Sequence, residues 1–122
     1  MRIWLAVAAL NGALAVALGA VAQHALRADA QTMALFDLAS RYHMYHALAL
    51  GLVALAMQAS VSGWARCSAW AFLIGIVLFS GSLYLFAFTG RPWLFHVTPV
   101  GGGAFIAGWV LFAVAALRTK AS

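Results

Sequence analysis

The chain has 122 residues, of which 66% are hydrophobic and 7% charged, with seven basic side chains against two acidic ones. A soluble domain carries about 25% charged residues, so this composition excludes an ordinary water-clothed surface, and the length bounds the chain to one domain. The basic residues lie scattered at the ends of apolar runs, which fits topology anchors and lipid headgroup contacts and excludes a nucleic-acid patch. The lone cysteine, Cys67, excludes an internal disulfide and a cysteine-built zinc site.

The first apolar run covers 3–22, with Asn11 its one strongly polar member, read as an interhelical hydrogen bonder. Arg2, this run and Ala20, Val21 and Ala22 together have the outline of a signal peptide, but the run is long for a cleavable one and reads as a membrane helix. Three more runs follow at 42–59, 65–88 and 99–117. About 20 helical residues span the roughly 30 Å hydrocarbon core. An unpaired backbone amide is costly in lipid, and no segment alternates with a period of two, so helices are expected and barrel strands are not. The expected fold is all-α: an integral membrane four-helix bundle.

The break at 23–41 has partial helical periodicity through Leu26, Ala30, Met33, Ala34, Phe36 and Leu38. It reads as a short amphipathic segment between helices 1 and 2, lying on the membrane surface, with Asp37 and Arg41 spaced to pair. Ser62 and Gly63 mark a tight turn between runs two and three. Thr98 and Pro99 read as the N-cap and first residue of the last helix. With four crossings both termini share a side. Arg2, Arg66, Arg118 and Lys120 flank it, against Arg27, Arg41 and Arg91 opposite, a bias that puts both termini in the cytoplasm. Trp4, Trp64, Trp93 and Tyr84 fall near the predicted boundaries as an aromatic belt.

All four histidines fall in or beside the breaks after runs one and three, so the titratable chemistry is expected at one face. His43 and His46, three apart, share a helix side. With His24 or His96 completing the site, they are the candidates for a metal or haem centre; the competing reading makes them interfacial hydrogen bonders. The scarcity of carboxylates argues against a hard-metal site. Thr98, Gly101 and Gly102 at a helix start could offer free amides to an anion, near Arg41 and Arg91; alternatively the glycines admit a neighbouring helix. Spaced small residues such as Ala8 and Gly12, or Ala104 and Gly108, suit close packing within the bundle or between subunits. No nucleophile, nucleotide-binding or HExxH motif is present, so an enzyme is not the leading reading.

Gly19 to Leu26, Tyr42 to Ala49, Leu78 to Tyr84 and Thr98 to Gly102 form four ordered motifs, covering nearly the whole chain. Together they resemble the domain-of-unknown-function 423 family of YgdD-like small membrane proteins. The resemblance implies a small four-helix protein of the bacterial inner membrane and supplies no accepted catalytic residues or cofactor. Val21, Ala22 and Gln23 depart from the family motif, and His43 stands where glutamine is usual. The leading functional expectation is a non-enzymatic protein that binds a lipid, a quinone-like molecule or a partner protein at its outer face. His24, Arg41, Tyr42, His46, Arg91, Thr98, Gly101 and Gly102 would form the site. A small oligomeric transporter or channel, and a haem- or metal-binding membrane enzyme, are the alternatives. Membrane lipids are the expected partners, with a homo-oligomer or a partner membrane protein beside them.

Overall fold

The computed structural model describes residues 2–24 and 28–118. Arg27 and Lys120, counted in the charge bias, and Leu26 of the periodic break lie outside the described residues. Four helices follow in order: α1 (Arg2–His24), α2 (Ala30–Ala59), α3 (Gly63–Thr89) and α4 (Leu94–Arg118). No strand occurs among the described residues.

The stretch expected as a separate surface segment is the opening of α2. Asp29 caps it, its carboxylate accepting from Thr32 N–H at 3.0 Å, and the helix then runs unbroken for 30 residues. It is amphipathic, but it packs along α1. Phe36 and Ala39 are fully buried while Asp37 and Arg41 face outward. Ser40 Oγ donates to the Ala15 carbonyl at 3.1 Å, and further along Gly51 faces Ala8, which fixes the antiparallel register of the two helices. An apolar stripe beside a polar one suits a water interface and a bundle seam equally, so periodicity could not choose between them.

The Ser62 turn forms as expected, with Ser62 Oγ accepting from Ala65 N–H at 3.1 Å. Midway along α3 the helix widens by one π-turn over Ile76–Ser80, where Gly81 N–H reaches back five residues to the Ile76 carbonyl. Gly90, at φ 67°, ends α3 in the left-handed conformation that glycine tolerates best.

α4 opens at Leu94, five residues before the expected start, and Pro99 lies inside it. Gly101 and Gly102 therefore stand within the helix, not at its mouth. The expected anion site of free amides at Thr98, Gly101 and Gly102 is not formed. The glycines serve packing instead: a Cβ on Gly101 would overlap the backbone of Leu78 and Phe79, and one on Gly108 would come within 2.6 Å of the Phe72 ring. Close approach of this kind replaces the hydrophobic effect as the source of helix association in lipid.

Among the described residues three helices, α1, α3 and α4, are long and apolar enough to cross a membrane. The interior core runs through Leu50, Val53, Phe72 and Phe105. The outside carries Leu10, Leu52, Val77 and Ile106, each more than half exposed, a distribution that water would punish and lipid accepts. Arg118 lies over the Trp64 ring at 5.4 Å, tying the end of α4 to the start of α3.

Candidate functional site

The histidines do not share one face. His24 and His96 are exposed near the same end of the bundle, but His43 and His46 are buried halfway along it, level with Asn11 of α1 and Phe105 of α4. α2 starts level with the end of α1, so its fourth and fifth turns reach the centre of the bundle. That depth depends on where α2 begins, which is Ala30 and not the expected residue 42.

His43, 1% exposed, joins three helices. Asn11 Nδ2 donates to the Val7 carbonyl at 2.9 Å, which turns its oxygen toward His43. His43 Nε2 lies 2.9 Å from that oxygen and must donate to it. Nδ1 is then the acceptor, and the Tyr84 hydroxyl donates to it at 2.9 Å. The chain of bonds thus fixes the Nε2–H tautomer. His46 takes the opposite form: Nδ1–H donates to the Tyr42 carbonyl at 2.6 Å and Nε2 accepts from Trp109 Nε1–H at 3.2 Å. Its ring stacks on Phe105, centroids 3.5 Å apart.

Both nitrogens of both rings are therefore committed, and neither offers a lone pair to a metal without breaking a buried bond. Among the described residues no three His, Cys, Asp or Glu side chains come together. The weak metal candidates His24, His43 and His46 are not assembled into one site: His24 is at the end of α1 while the other two face different neighbours. Nor do the basic residues converge on His46. Arg41 is exposed and paired with Asp37 at 3.0 Å, and Arg91 is exposed in the turn between α3 and α4. Tyr42 stacks on Phe79 inside the bundle. Thr98 also turns inward, hydrogen-bonded to Ser82 and to the Leu94 carbonyl.

One partner was misread in the sequence and one was missed. Tyr84, read as a belt residue, is buried against His43, and Trp109, far from any predicted boundary, was not singled out at all. A tryptophan at the middle of an apolar run was the available signal, since its N–H needs a partner there.

The same polar groups border a cleft. α1 rests on α2 along its length but meets α3 mainly through side chains at its two ends. Trp4 packs edge-on against Trp70, and Leu18 and Ala22 pack on the cluster of Phe36, Ala39, Leu83 and Tyr84. Between these contacts a cleft of about 650 Å³ opens sideways between α1, α3 and α4. Asn11, His43, Tyr84 and Ser82 give it polar edges, while Leu14, Leu18, Val77, Leu85, Trp93 and Val97 make the rest apolar. Its volume falls in the range of sites that hold drug-sized molecules.

Residues 18–102 match the family described as "Protein of unknown function (DUF423)". The chain is 40% identical over 121 residues to the UPF0382 membrane protein YwdK of Bacillus subtilis, covering 97% of this chain and 98% of that one. It is 43% identical over 122 residues to the UPF0382 inner membrane protein YgdD of Escherichia coli K12, covering 98% and 92%. A UPF0382 membrane protein of Haemophilus influenzae is 39% identical over 119 residues, covering 96% and 95%. No solved structure matches the chain.

Proposed function

We propose that this chain, which belongs to the DUF423 family of membrane proteins, holds a membrane amphiphile in its lateral cleft. The apolar part of the ligand lies along Leu14, Val77 and Leu85, and a hydroxyl or carbonyl head reaches Asn11, Tyr84 and Ser82. One observation carries this reading: a hydrogen-bonded network at the middle of the bundle borders a cleft that is otherwise apolar and open toward lipid. Ligand pockets share that composition, a few polar groups fixing orientation within an apolar lining. A lipid or quinone-like molecule therefore enters from the side, not at the outer face.

The core supports binding over conduction. From the level of His46 toward the α2–α3 turn, the interior is filled by Leu50, Val53, Met57, Ala69 and Phe72, and the Ser68 hydroxyl there is spent on the Gly108 carbonyl at 2.8 Å. A continuous polar path across the bundle is not provided by these residues. In this reading α2 is the fourth crossing, its two histidines shielded by the other helices. Both termini face the cytoplasm of the bacterial inner membrane, with Arg2, Arg66 and Arg118 at that end.

Leu14→Trp tests the cleft, because Leu14 is half exposed on its wall and a larger ring there fills the opening without entering the core. In native mass spectrometry from mild detergent, the wild type is expected to retain a small apolar adduct, and Leu14→Trp to lose at least four-fifths of it. Equal adducts on both proteins, or none on the wild type, would remove the proposal.

A further inference from the structure

We infer, on the reading of the lateral cleft as a ligand site, that it takes an uncharged amphiphile with a hydroxyl head and prefers it to the carbonyl, ester or ether of the same skeleton. The ground is the number of hydrogens at the polar edge of the cleft, formed by Asn11, His43, Ser82 and Tyr84.

Nearly every hydrogen there is already committed. His43, neutral, has one on Nε2 and gives it to the Asn11 oxygen at 2.9 Å. The Tyr84 hydroxyl has one and gives it to His43 Nδ1 at 2.9 Å. Ser82 and Thr98 hold two between them, and three contacts call for them: the Phe79 carbonyl, the Leu94 carbonyl and the contact between the two hydroxyls. Ser82 therefore has none left for a ligand. Asn11, partly exposed, is the exception. Its amide nitrogen carries two hydrogens. One goes to the Val7 carbonyl at 2.9 Å, and the second has no partner among the described residues.

Lone pairs, by contrast, remain. The Asn11 oxygen accepts one bond, from His43, and has room for another. The Tyr84 oxygen donates and accepts nothing, because the neighbouring Ser40 hydroxyl gives its hydrogen to the Ala15 carbonyl. The edge is poor in donors and rich in acceptors. A ligand hydroxyl matches it: its hydrogen goes to the Tyr84 or Asn11 oxygen, and its oxygen accepts the remaining Asn11 hydrogen. A carbonyl, ester or ether oxygen accepts that same hydrogen and makes no second bond. Carrying a hydroxyl to the depth of His43 removes its interfacial water, which is costly unless both its hydrogen and its oxygen are bonded again. Sites that bond a hydroxyl in this way discriminate against the analogue lacking it.

Charge is excluded on separate ground. No lysine, arginine, aspartate or glutamate is among the described residues lining the cleft. A phosphate or carboxylate head at mid-bundle would have no counter-ion there.

Hexadecanol and its methyl ether, which keeps the oxygen and loses the hydrogen, form the test pair. The full chain, delipidated in mild detergent, is incubated with equal concentrations of each, and adducts are read by native mass spectrometry. The wild type is expected to retain about threefold more alcohol than ether, or better. Leu14→Trp is expected to lower the alcohol adduct about fivefold, in line with a filled cleft. Hexadecyl phosphate is expected to give no adduct that Leu14→Trp lowers. The alcohol-to-ether ratio is read on the wild type, so it does not depend on how the variant folds. Alcohol retained no better than ether, with both lost from Leu14→Trp, overturns the hydroxyl preference and leaves the cleft a ligand site. A phosphate adduct that Leu14→Trp lowers overturns the exclusion of charge. A hexadecanol adduct that Leu14→Trp leaves in place, or no hexadecanol adduct on the wild type, overturns the cleft itself and the preference with it.

Discussion

Gly101→Leu is expected to prevent α3 and α4 from packing, and Gly101→Ala to destabilise the bundle by about 3 kcal/mol or more. The first added carbon would fall on the main chain of Leu78 and Phe79, at the π-turn of α3. Main chain cannot swing aside as a ring can, so the helices must separate. That separation also strips contacts from Phe105, packed against Gly75 one turn further along. Gly103→Ala is the control. Nothing lies within 4 Å of its added carbon, and alanine favours the helix by about 1 kcal/mol, so this variant is expected to be neutral or slightly more stable. Thermal unfolding in one detergent, followed by helical circular dichroism, separates the two. Equal midpoints would mean that α3 and α4 do not meet at Gly101.

The second large effect is expected at His43. Its ring is the common partner of Asn11 on α1 and Tyr84 on α3. His43→Ala removes the group that the Asn11 oxygen and the Tyr84 hydroxyl bond to and opens a cavity beside the Tyr84 ring, at a combined cost of about 3 kcal/mol. Tyr84→Phe removes a single donor and is expected to cost about 1 kcal/mol. Combining it with His43→Ala adds little, because the first substitution has already broken that bond. Interhelical hydrogen bonds in membranes average below 1 kcal/mol, so most of the His43→Ala effect comes from the cavity and the stranded groups. A double-mutant cycle that proved fully additive would contradict the network.

Much of this fold was legible in the chain. The four helices, the Ser62 turn and the all-α class follow from apolar length and turn chemistry. So does the role of Asn11, since an amide within an apolar run has few other uses. What the sequence concealed was relative depth. Thr98 followed by Pro99 has the local chemistry of a helix start, yet α4 begins at Leu94, where the turn after Gly90 delivers the chain. That shift carries Gly101 and Gly102 from a helix mouth into a helix–helix contact. The opening of α2 misled in the same way. Its amphipathy is real, but its apolar stripe covers α1 and α3, and this carries His43 and His46 inward. The partners Tyr84 and Trp109 lie 41 and 63 residues from their histidines, beyond the reach of any local pattern.

Two imidazoles held at mid-bundle in opposite tautomers are the centre of this interior. Solid-state NMR on protein labelled with ¹⁵N at histidine, in lipid bilayers at neutral pH, reads this directly. The expected result is His43 carrying its proton on Nε2 and His46 on Nδ1, with the His43 signal altered by Tyr84→Phe and the His46 signal by Trp109→Phe. Two rings in the same tautomer, or signals that neither substitution moves, would contradict the interior described here.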